Sequence, residues 1–436
     1  MLSGIGGIDA ALLVIAADEG VMPQTREHLA ILDLLQIEHG VVVLTKTDLA
    51  QDADWLDLIE SDVRTALKGT TLQSAPVVRV SAKTKQGLDR LIESLNDVLG
   101  LATPRTDFGR PRLPIDRVFS MAGFGTVVTG TLTDGRLSIG DEVQILPSGK
   151  TGRVRGLQTH QKKEEAALPG SRTAVNITGL AVEEISRGEV VVTPNHYVAT
   201  RRIDAFFRLL PDGSSPLKHG TEVKFFAGTS ESIATMRLLG AESFNPGEKG
   251  WVQFELREPV VIVRGDKYII RRPSPSETLG GGIALDPHPK NRHRRFDETV
   301  LKRFEAMMTG SPADILLQAS LALGPAPMKD VVSRSRLESE DASLAIEELV
   351  SENRLVPLEG SDLSVNGDSL VIAGNTWETQ KKKIVSLLKE YHRQYPLRRG
   401  MLREELKSKI QANPRLFNLF LRKMVSENEL VESGTW

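Results

Sequence analysis

The chain contains no cysteine, which excludes disulfides, thiolate catalysis and zinc-thiolate sites. No sign of charge dominates. The 55 Lys and Arg stand against 57 Asp and Glu, a formal net charge of −2, so no global electrostatic pull on nucleic acid is expected. Aromatic residues make up only 5% of the chain, leaving few rings for base stacking. No apolar run approaches the roughly 20 residues of a membrane span. The apolar stretch at residues 8–17 carries Asp9 inside it and no basic segment before it. It therefore reads as a core strand over residues 10–17, not as a signal peptide. A cysteine-free chain without a leader or a span suits the cytoplasm, and no membrane partner is expected.

What is present is ordinary in bulk: 436 residues, 40% hydrophobic and 26% charged, enough for three or four globular domains. The informative stretch is Val41-Val-Val-Leu-Thr45-Lys46-Thr-Asp48. A short apolar run that breaks into polar residues predicts a buried parallel strand whose carboxyl end opens into a loop, where doubly wound sheets hold ligands. An Asp there can accept a hydrogen-bond pair from guanine N1 and its amine, which adenine lacks, while the Lys stem lies along the ring. A second strand, Pro76 to Val80, ends in Ser81-Ala82-Lys83, whose backbone amides can bond guanine O6. With a helical stretch at residues 55–67 between them, the two pieces resemble the guanine-binding half of a GTPase.

Asp18-Glu-Gly-Val-Met-Pro-Gln-Thr-Arg-Glu27-His28 is similar to the segment after the second switch of translational GTPases. Glu27 and His28 are expected to pack and cap its helix. A phosphate loop of the form Gly-x-x-x-x-Gly-Lys-Ser/Thr, a first-switch Thr and an Asp-x-x-Gly-His segment do not occur in the sequence, and Gly4-Ile-Gly-Gly7 does not replace them. The chain is therefore expected to begin partway through a G domain, to lack ligands for Mg²⁺ and, as written, not to hydrolyse GTP. Weak stability and an exposed sheet edge are expected for residues 1–100.

Beyond a linker at residues 101–112, short runs of period two separated by glycine turns predict an antiparallel barrel at residues 113–196. The runs fall at residues 113–119, 126–133, 141–146, 152–158 and 173–178. Gly123-Phe-Gly-Thr126-Val-Val-Thr-Gly130, Gly140-Asp141, Gly170-Ser-Arg172 and Ile185-Ser-Arg-Gly188 resemble domain 2 of translation factors. A second barrel is expected at residues 197–290, with strands at 221–227, 250–255 and 260–271. Helical periodicity follows at 299–308, 313–322, 328–334 and 340–353. Val350-Ser-Glu-Asn-Arg-Leu-Val356 returns as Val425-Ser-Glu-Asn-Glu-Leu-Val431, which predicts tandem winged helices at residues 296–375 and 376–436. Each repeat is expected to enter a wing hairpin, the second incomplete. Residues 296–375 hold 6 basic and 14 acidic residues, whereas 376–436 hold 13 and 7. The later basic clusters (Lys381 to Lys383, Arg398-Arg399, Lys407, Lys409 and Arg422-Lys423) suit either a solvated face or contact with an RNA or ribosomal backbone. Trp377, Tyr391 and Tyr395 are the candidate stacking rings, and Phe417 and Phe420 are expected in the core.

A partial α/β GTPase domain, two antiparallel β-barrels and C-terminal tandem winged helices together resemble the bacterial selenocysteine-specific elongation factors, over essentially the whole chain. Leu113-Pro-Ile-Asp116-Arg117-Val-Phe and Gly170-Ser-Arg172 match that family. The resemblance implies GTP or GDP at Thr45, Lys46, Asp48, Ser81, Ala82 and Lys83, with Thr45 standing where GTPases commonly have Asn. It implies a selenocysteyl pocket at Asp116, Arg117 and Arg172. It also implies delivery of selenocysteyl-tRNA to the ribosome at UGA codons. The messenger hairpin read by the intact family protein is expected not to be bound through this fragment. A tRNA- or ribosome-binding module that does not hydrolyse, and a general tRNA-delivering GTPase, are the alternatives.

Overall fold

Strands that are apolar on both faces need cover on both faces, and the N-terminal sheet supplies most of it. β1 (Ala11–Ala16), β2 (Gly40–Thr45) and β3 (Val77–Arg79) form a parallel sheet in that order, with Leu13 opposite Val42 and Val43 opposite Val78. Val42 and Leu44 pack with Leu29 and Leu32 of α1 (Pro23–Leu34) and with Ile59 and Val63 of α2 (Ala53–Leu67). Val41 and Val43 meet Val98 of α3 (Leu88–Leu101) on the other face. Asp52 caps α2 by accepting from the Trp55 amide at 2.8 Å, satisfying one of the donors a helix start leaves open. Among the described residues β1 is a sheet edge, and its Leu12 and Val14 are exposed.

The computed structural model describes residues 7–433 except 51, 102–106, 108, 122, 124, 195, 214, 275–276, 310, 336, 338, 361–362 and 411–412. Gly4 of the N-terminal glycine run, Pro104 of the linker, Phe124 and Trp436 lie outside the described residues. The chain divides into two units, Met1–Leu301 and Lys302–Trp436.

β4 (Arg112–Met121) and β5 (Gly125–Thr131) open the first barrel. Its six strands close in the order Arg172–Thr178, β5, β4, Val190–Val192, Glu142–Leu146, Lys150–Thr159 and back to Arg172–Thr178. Leu113, Ile115, Val128, Ile145, Val154 and Val175 fill its interior, the alternation of a strand with one buried face. The second barrel closes as Thr200–Leu209, Lys249–Val260, Ser230–Leu239, Thr221–Ala227, Lys267–Arg272 and Glu277–Asp286. Phe207, Phe225, Phe254 and Tyr268 are fully buried within it. The strand expected over residues 260–271 does not form. One strand ends at Val260 and the next begins at Lys267, because Asp266 accepts from the Val263 amide at 2.9 Å and Gly265 takes φ 83°. The apolar run there serves two cores: Val260 and Ile262 join the second barrel, whereas Val261 packs with Leu146 and Tyr197.

That turn also joins the barrels. Arg112 at the start of β4 donates to Asp266 through Nη1 at 2.5 Å and Nη2 at 2.9 Å. Burial works against the charged guanidinium, and the Asp266 carboxylate more than offsets it, so the Arg112 pKa is raised above the ordinary arginine value. α1 docks on the second barrel. Arg271 Nη2 and Thr278 Oγ1 both donate to Glu27 Oε1 at 2.9 Å, Arg208 pairs with Asp33, and Ile269 joins the core under α1 and α2. Glu27 is thus a barrel contact; it does not cap its own helix, whose N-cap Met22 has no side-chain bond.

In the second unit, α5 (Pro312–Leu323), α6 (Met328–Ser335) and α7 (Ser339–Ser351) follow α4 (Glu298–Thr309). They pack through Leu316, Val331, Ala345 and Leu349 beside a three-stranded sheet in the order Ala326–Pro327, Leu370–Ala373, Leu355–Pro357. α8 (Gly374–Gln394) starts directly after the last of these strands. A side chain at Gly374 would meet the Asn353 carbonyl at 2.1 Å. α9 (Arg403–Ile410) and α10 (Pro414–Ser426) complete this part around Trp377, Ile384, Tyr391, Phe417 and Phe420. Two of the candidate stacking rings, Trp377 and Tyr391, are therefore core.

The repeated heptapeptide makes one structure twice. Asn353 and Asn428 take φ 56° and 58°, and the next amides, Arg354 and Glu429, bond back to Leu349 and Met424 at 2.8 and 2.9 Å. This is the six-to-one bond that closes a helix end with a left-handed residue. After the first copy the chain enters strand Leu355–Pro357; after the second, no strand forms among the described residues up to 433.

Arg112→Ala leaves Asp266 without its cation at the barrel junction and is expected to destabilise the first unit by roughly 3–5 kcal/mol. Arg112→Lys, which keeps charge but loses the fork, is expected to cost less. Urea unfolding checks both, and a loss below about 1 kcal/mol for Arg112→Ala would contradict the role given to the pair.

Candidate functional sites for guanine and for an aminoacyl group

The carboxyl ends of β2 and β3 gather the six residues expected to hold guanine. Thr45 Oγ1 donates to the Ile15 carbonyl at 3.3 Å, tying the end of β2 to β1. Lys46 takes φ 58°, a left-handed turn that swings the chain into the short helix Thr47–Leu49. Asp48 Oδ1 accepts from Ser81 Oγ at 2.6 Å, and Ser81 Oγ in turn accepts from the Thr84 amide at 3.1 Å. Ser81 is fully buried while Ala82 and Lys83 beside it are exposed. The Ser81 hydrogen bond holds the Asp48 carboxyl below the ordinary aspartate value, with the Lys83 charge acting the same way. Gly87 closes this loop at φ 78°, where a side chain would meet the Arg79 carbonyl at 2.0 Å.

Lys46 departs from the expected pose. Its Nζ donates to Asp18 Oδ2 at 2.9 Å and lies 3.8 Å from Glu19 Oε1, and the Asp18 bond raises its pKa. Sequence reading gave Asp18 and Glu19 no part in this site. The pair lies at the surface, its side chains 45% and 34% exposed, where such pairs are weak.

The second site lies on the outside of the first barrel. β4 pairs with β5 with a register shift between Ile115 and Arg117. Ile115 turns inward to the core and Asp116 is the extra residue, so Asp116 and Arg117 reach one face, as bulges allow. Arg117 stands opposite Thr129, and Arg172 opposite Thr131. Thr129 Oγ1 donates to Asp116 Oδ1 at 2.6 Å and Arg172 Nη1 to Asp116 Oδ2 at 2.5 Å. Asp116 is mostly covered and Arg172 is half exposed. Gly130 lets the strands approach, since a side chain there would meet the Pro114 carbonyl at 2.1 Å. Arg117 is exposed and has no hydrogen bond or ion pair among the described residues. Sequence reading missed Thr129; its place between Asp116 and Arg172 comes from pairing across three strands. Among the described residues no cluster of three or more His, Asp or Glu could hold a metal ion, and no helix is long and apolar enough to cross a membrane.

Ser81→Ala removes the first cause of the low Asp48 pKa and the bond that aims the carboxylate. GDP binding is expected to weaken by about 3- to 10-fold. Because the carboxylate form is the binding form, a pKa moved back up also moves the acid limb of GDP binding to higher pH. Calorimetric titration across pH checks both; an unchanged limb would exclude this role for Ser81.

Four family models match in sequence. The Elongation factor Tu GTP binding domain covers residues 1–100, Elongation factor Tu domain 2 covers 125–192, the Selenocysteine-specific elongation factor beta-barrel domain covers 206–291, and the Elongation factor SelB winged helix covers 385–436. The chain is 37% identical over 443 residues to a selenocysteine-specific elongation factor of Desulfomicrobium baculatum, covering 99% of this chain and 67% of that protein. A selenocysteine-specific elongation factor of Haemophilus influenzae is 28% identical, with 100% and 67% covered. The crystal structure of translation elongation factor SelB from Methanococcus maripaludis in its apo form aligns at TM-score 0.59 and 28% identity, over 66% of this chain and 67% of that one. That of a bacterial selenocysteine-specific elongation factor EF-Sec shares the fold at TM-score 0.62 and 21% identity, over 100% of this chain and 87% of that one. With its GTP-binding sheet, two closed six-stranded barrels and winged-helix tail, the chain belongs to the selenocysteine-specific elongation factors, a family of translational GTPases.

Proposed function

We propose that the outer face of the first barrel receives the selenocysteyl end of a charged tRNA for delivery to the cytoplasmic ribosome, and that Arg117 contacts the selenium. The observation that carries this reading is the pairing scheme. Asp116 holds Arg172 and Thr129, whereas Arg117, on the same face, carries no partner among the described residues. A selenol is ionised at neutral pH and a serine hydroxyl is not, so a free guanidinium favours the selenocysteyl ester over its seryl precursor. Arg172, already bound to a carboxylate, adds positive potential and fixes Asp116, whose remaining lone pairs can accept from the ester's ammonium group. Nothing in such a face repels serine; discrimination comes from charge alone.

In this reading the base half of the nucleotide site selects GTP or GDP through Asp48, with Ser81 as its positioning residue and the Ala82 and Lys83 amides near guanine O6. The chain's own residues do this by aiming one carboxylate, because adenine cannot supply the N1 and amine donors together. The phosphate-cradling motif is not part of this sequence. Among the described residues no cluster of three or more His, Asp or Glu could hold a metal ion, and no step is assigned to Mg²⁺. A messenger hairpin is not assigned to this chain.

The test is binding of selenocysteyl-tRNA and seryl-tRNA to the full chain, with Arg117→Ala and Arg117→Lys. Arg117→Ala is expected to weaken selenocysteyl-tRNA binding by on the order of tenfold or more, as for a hydrogen bond to a charged group, and to leave seryl-tRNA binding unchanged. Arg117→Lys is expected to restore part of the preference. Equal losses for both tRNAs would reduce Arg117 to a general phosphate contact and refute the pocket.

A further inference from the structure

We propose that the turn after α8 is a docking point for single-stranded RNA, with Tyr395 and Arg398 taking a base and Arg393 and Arg399 taking phosphates. The turn is built, not loose. Tyr395 closes α8 by donating its amide to the Tyr391 carbonyl at 2.9 Å, and the Arg398 amide bonds the Tyr395 carbonyl at 3.0 Å. Tyr391 is buried, its hydroxyl accepts from Arg398 Nη1 at 2.9 Å, and its ring centroid lies 4.9 Å from that of Tyr395. The Arg398 guanidinium then sits 4.5 Å from the Tyr395 ring centroid. A buried tyrosine thus anchors a stacked cation and ring at the surface, where Tyr395 is 43% and the neighbouring Leu397 100% exposed.

Six other basic residues of this part, Lys381, Arg403, Lys407, Lys409, Arg415 and Lys423, are held by carboxylates. Among the described residues Lys382, Lys383, Lys389 and Arg422 are not, but only the arginines of the turn stand beside the exposed Tyr395 ring. Lys381, Lys407 and Arg415 lie within 3.2 Å of Glu378, Glu404 and Glu359 respectively, and Arg403 pairs with Glu432. Lys423 lies 3.8 Å from Glu427. Much of the basic excess is therefore spent on the protein's own carboxylates. Arg393, Arg398 and Arg399 are exposed and have no carboxylate within 4.0 Å among the described residues. Guanidinium groups fit phosphate as forks, and unpaired bases stack on aromatic rings and guanidinium planes. A duplex hides its base faces and offers only phosphates. An acidic protein would use the arginines but leave the ring and its stacked cation without work. Single-stranded RNA uses all four groups.

The test is fluorescence anisotropy of the full chain with a short labelled single-stranded RNA of mixed sequence, and with its fully paired duplex as a second probe. The wild type is expected to prefer the single strand. Tyr395→Ala is expected to weaken that binding by on the order of tenfold and to leave duplex binding unchanged. Because the Tyr395 ring packs on Tyr391, Arg398→Lys serves as a second variant that keeps charge and removes the plane; it is expected to lower single-strand affinity several-fold with an unaltered thermal transition. Arg393→Gln and Arg399→Gln are each expected to lower the salt slope of log K by about 0.7, and Lys423→Gln to do nothing. Equal affinity for strand and duplex would overturn the proposal. So would indifference to both Tyr395→Ala and Arg398→Lys, or binding of polyglutamate with the same arginine dependence.

Discussion

The fork between Arg112 and Asp266 is the contact on which the architecture of the first unit rests. It places two mostly buried charges at the junction of two barrels, and so ties one barrel to the other. It also fixes the first residue of β4, four residues before the bulge that brings Asp116 and Arg117 to one face. The same strand therefore carries the joint and the proposed pocket. Elsewhere on the second barrel, Glu27 and Asp33 of α1 and Gln36 just beyond it contact Arg271, Arg208 and Lys267. The GTP-binding sheet, the barrel that bears the proposed pocket and the barrel between them are thus linked through polar and charged contacts.

The two proposed sites share one device, a side chain held by a neighbour so that the group would arrive already aimed. Ser81 holds Asp48; Thr129 and Arg172 hold Asp116. Holding costs nothing at the moment of binding, because the ordering entropy is spent on folding. The uncommitted cations differ in kind. Arg117 has no partner among the described residues, whereas Lys46 stands in a surface pair with Asp18 that it would have to leave to lie on a base.

Much of this was legible in the sequence because the signals are local. The apolar run ending in Thr45-Lys46-Thr-Asp48 is a strand that opens into a loop, and the Ser-Glu-Asn repeat marks two identical helix ends. The charge split at residue 376 was legible too, but not its meaning, since the partners of Arg403 and Arg415 lie 29 and 56 residues away. What sequence could not supply was pairing at long range. The separation of 154 positions between Arg112 and Asp266 hides the joint, and the register shift at Asp116 appears only when β4 meets β5. The false strand over residues 260–271 has the same origin: an apolar run reads alike whether it serves one core or two. Glu27 was misjudged because its partner is a barrel strand, not its own helix.

The central claim is that selection on the first barrel works through the charge on selenium. The most direct measurement is the ratio of selenocysteyl- to seryl-tRNA affinity as a function of pH, at constant ionic strength. Arginine stays charged throughout the accessible range, so any change in the ratio belongs to the ester. The account predicts a large ratio at neutral pH that falls toward one as the selenol is protonated. A ratio independent of pH would show that the pocket reads size or polarisability instead, and the charge-based account would be wrong.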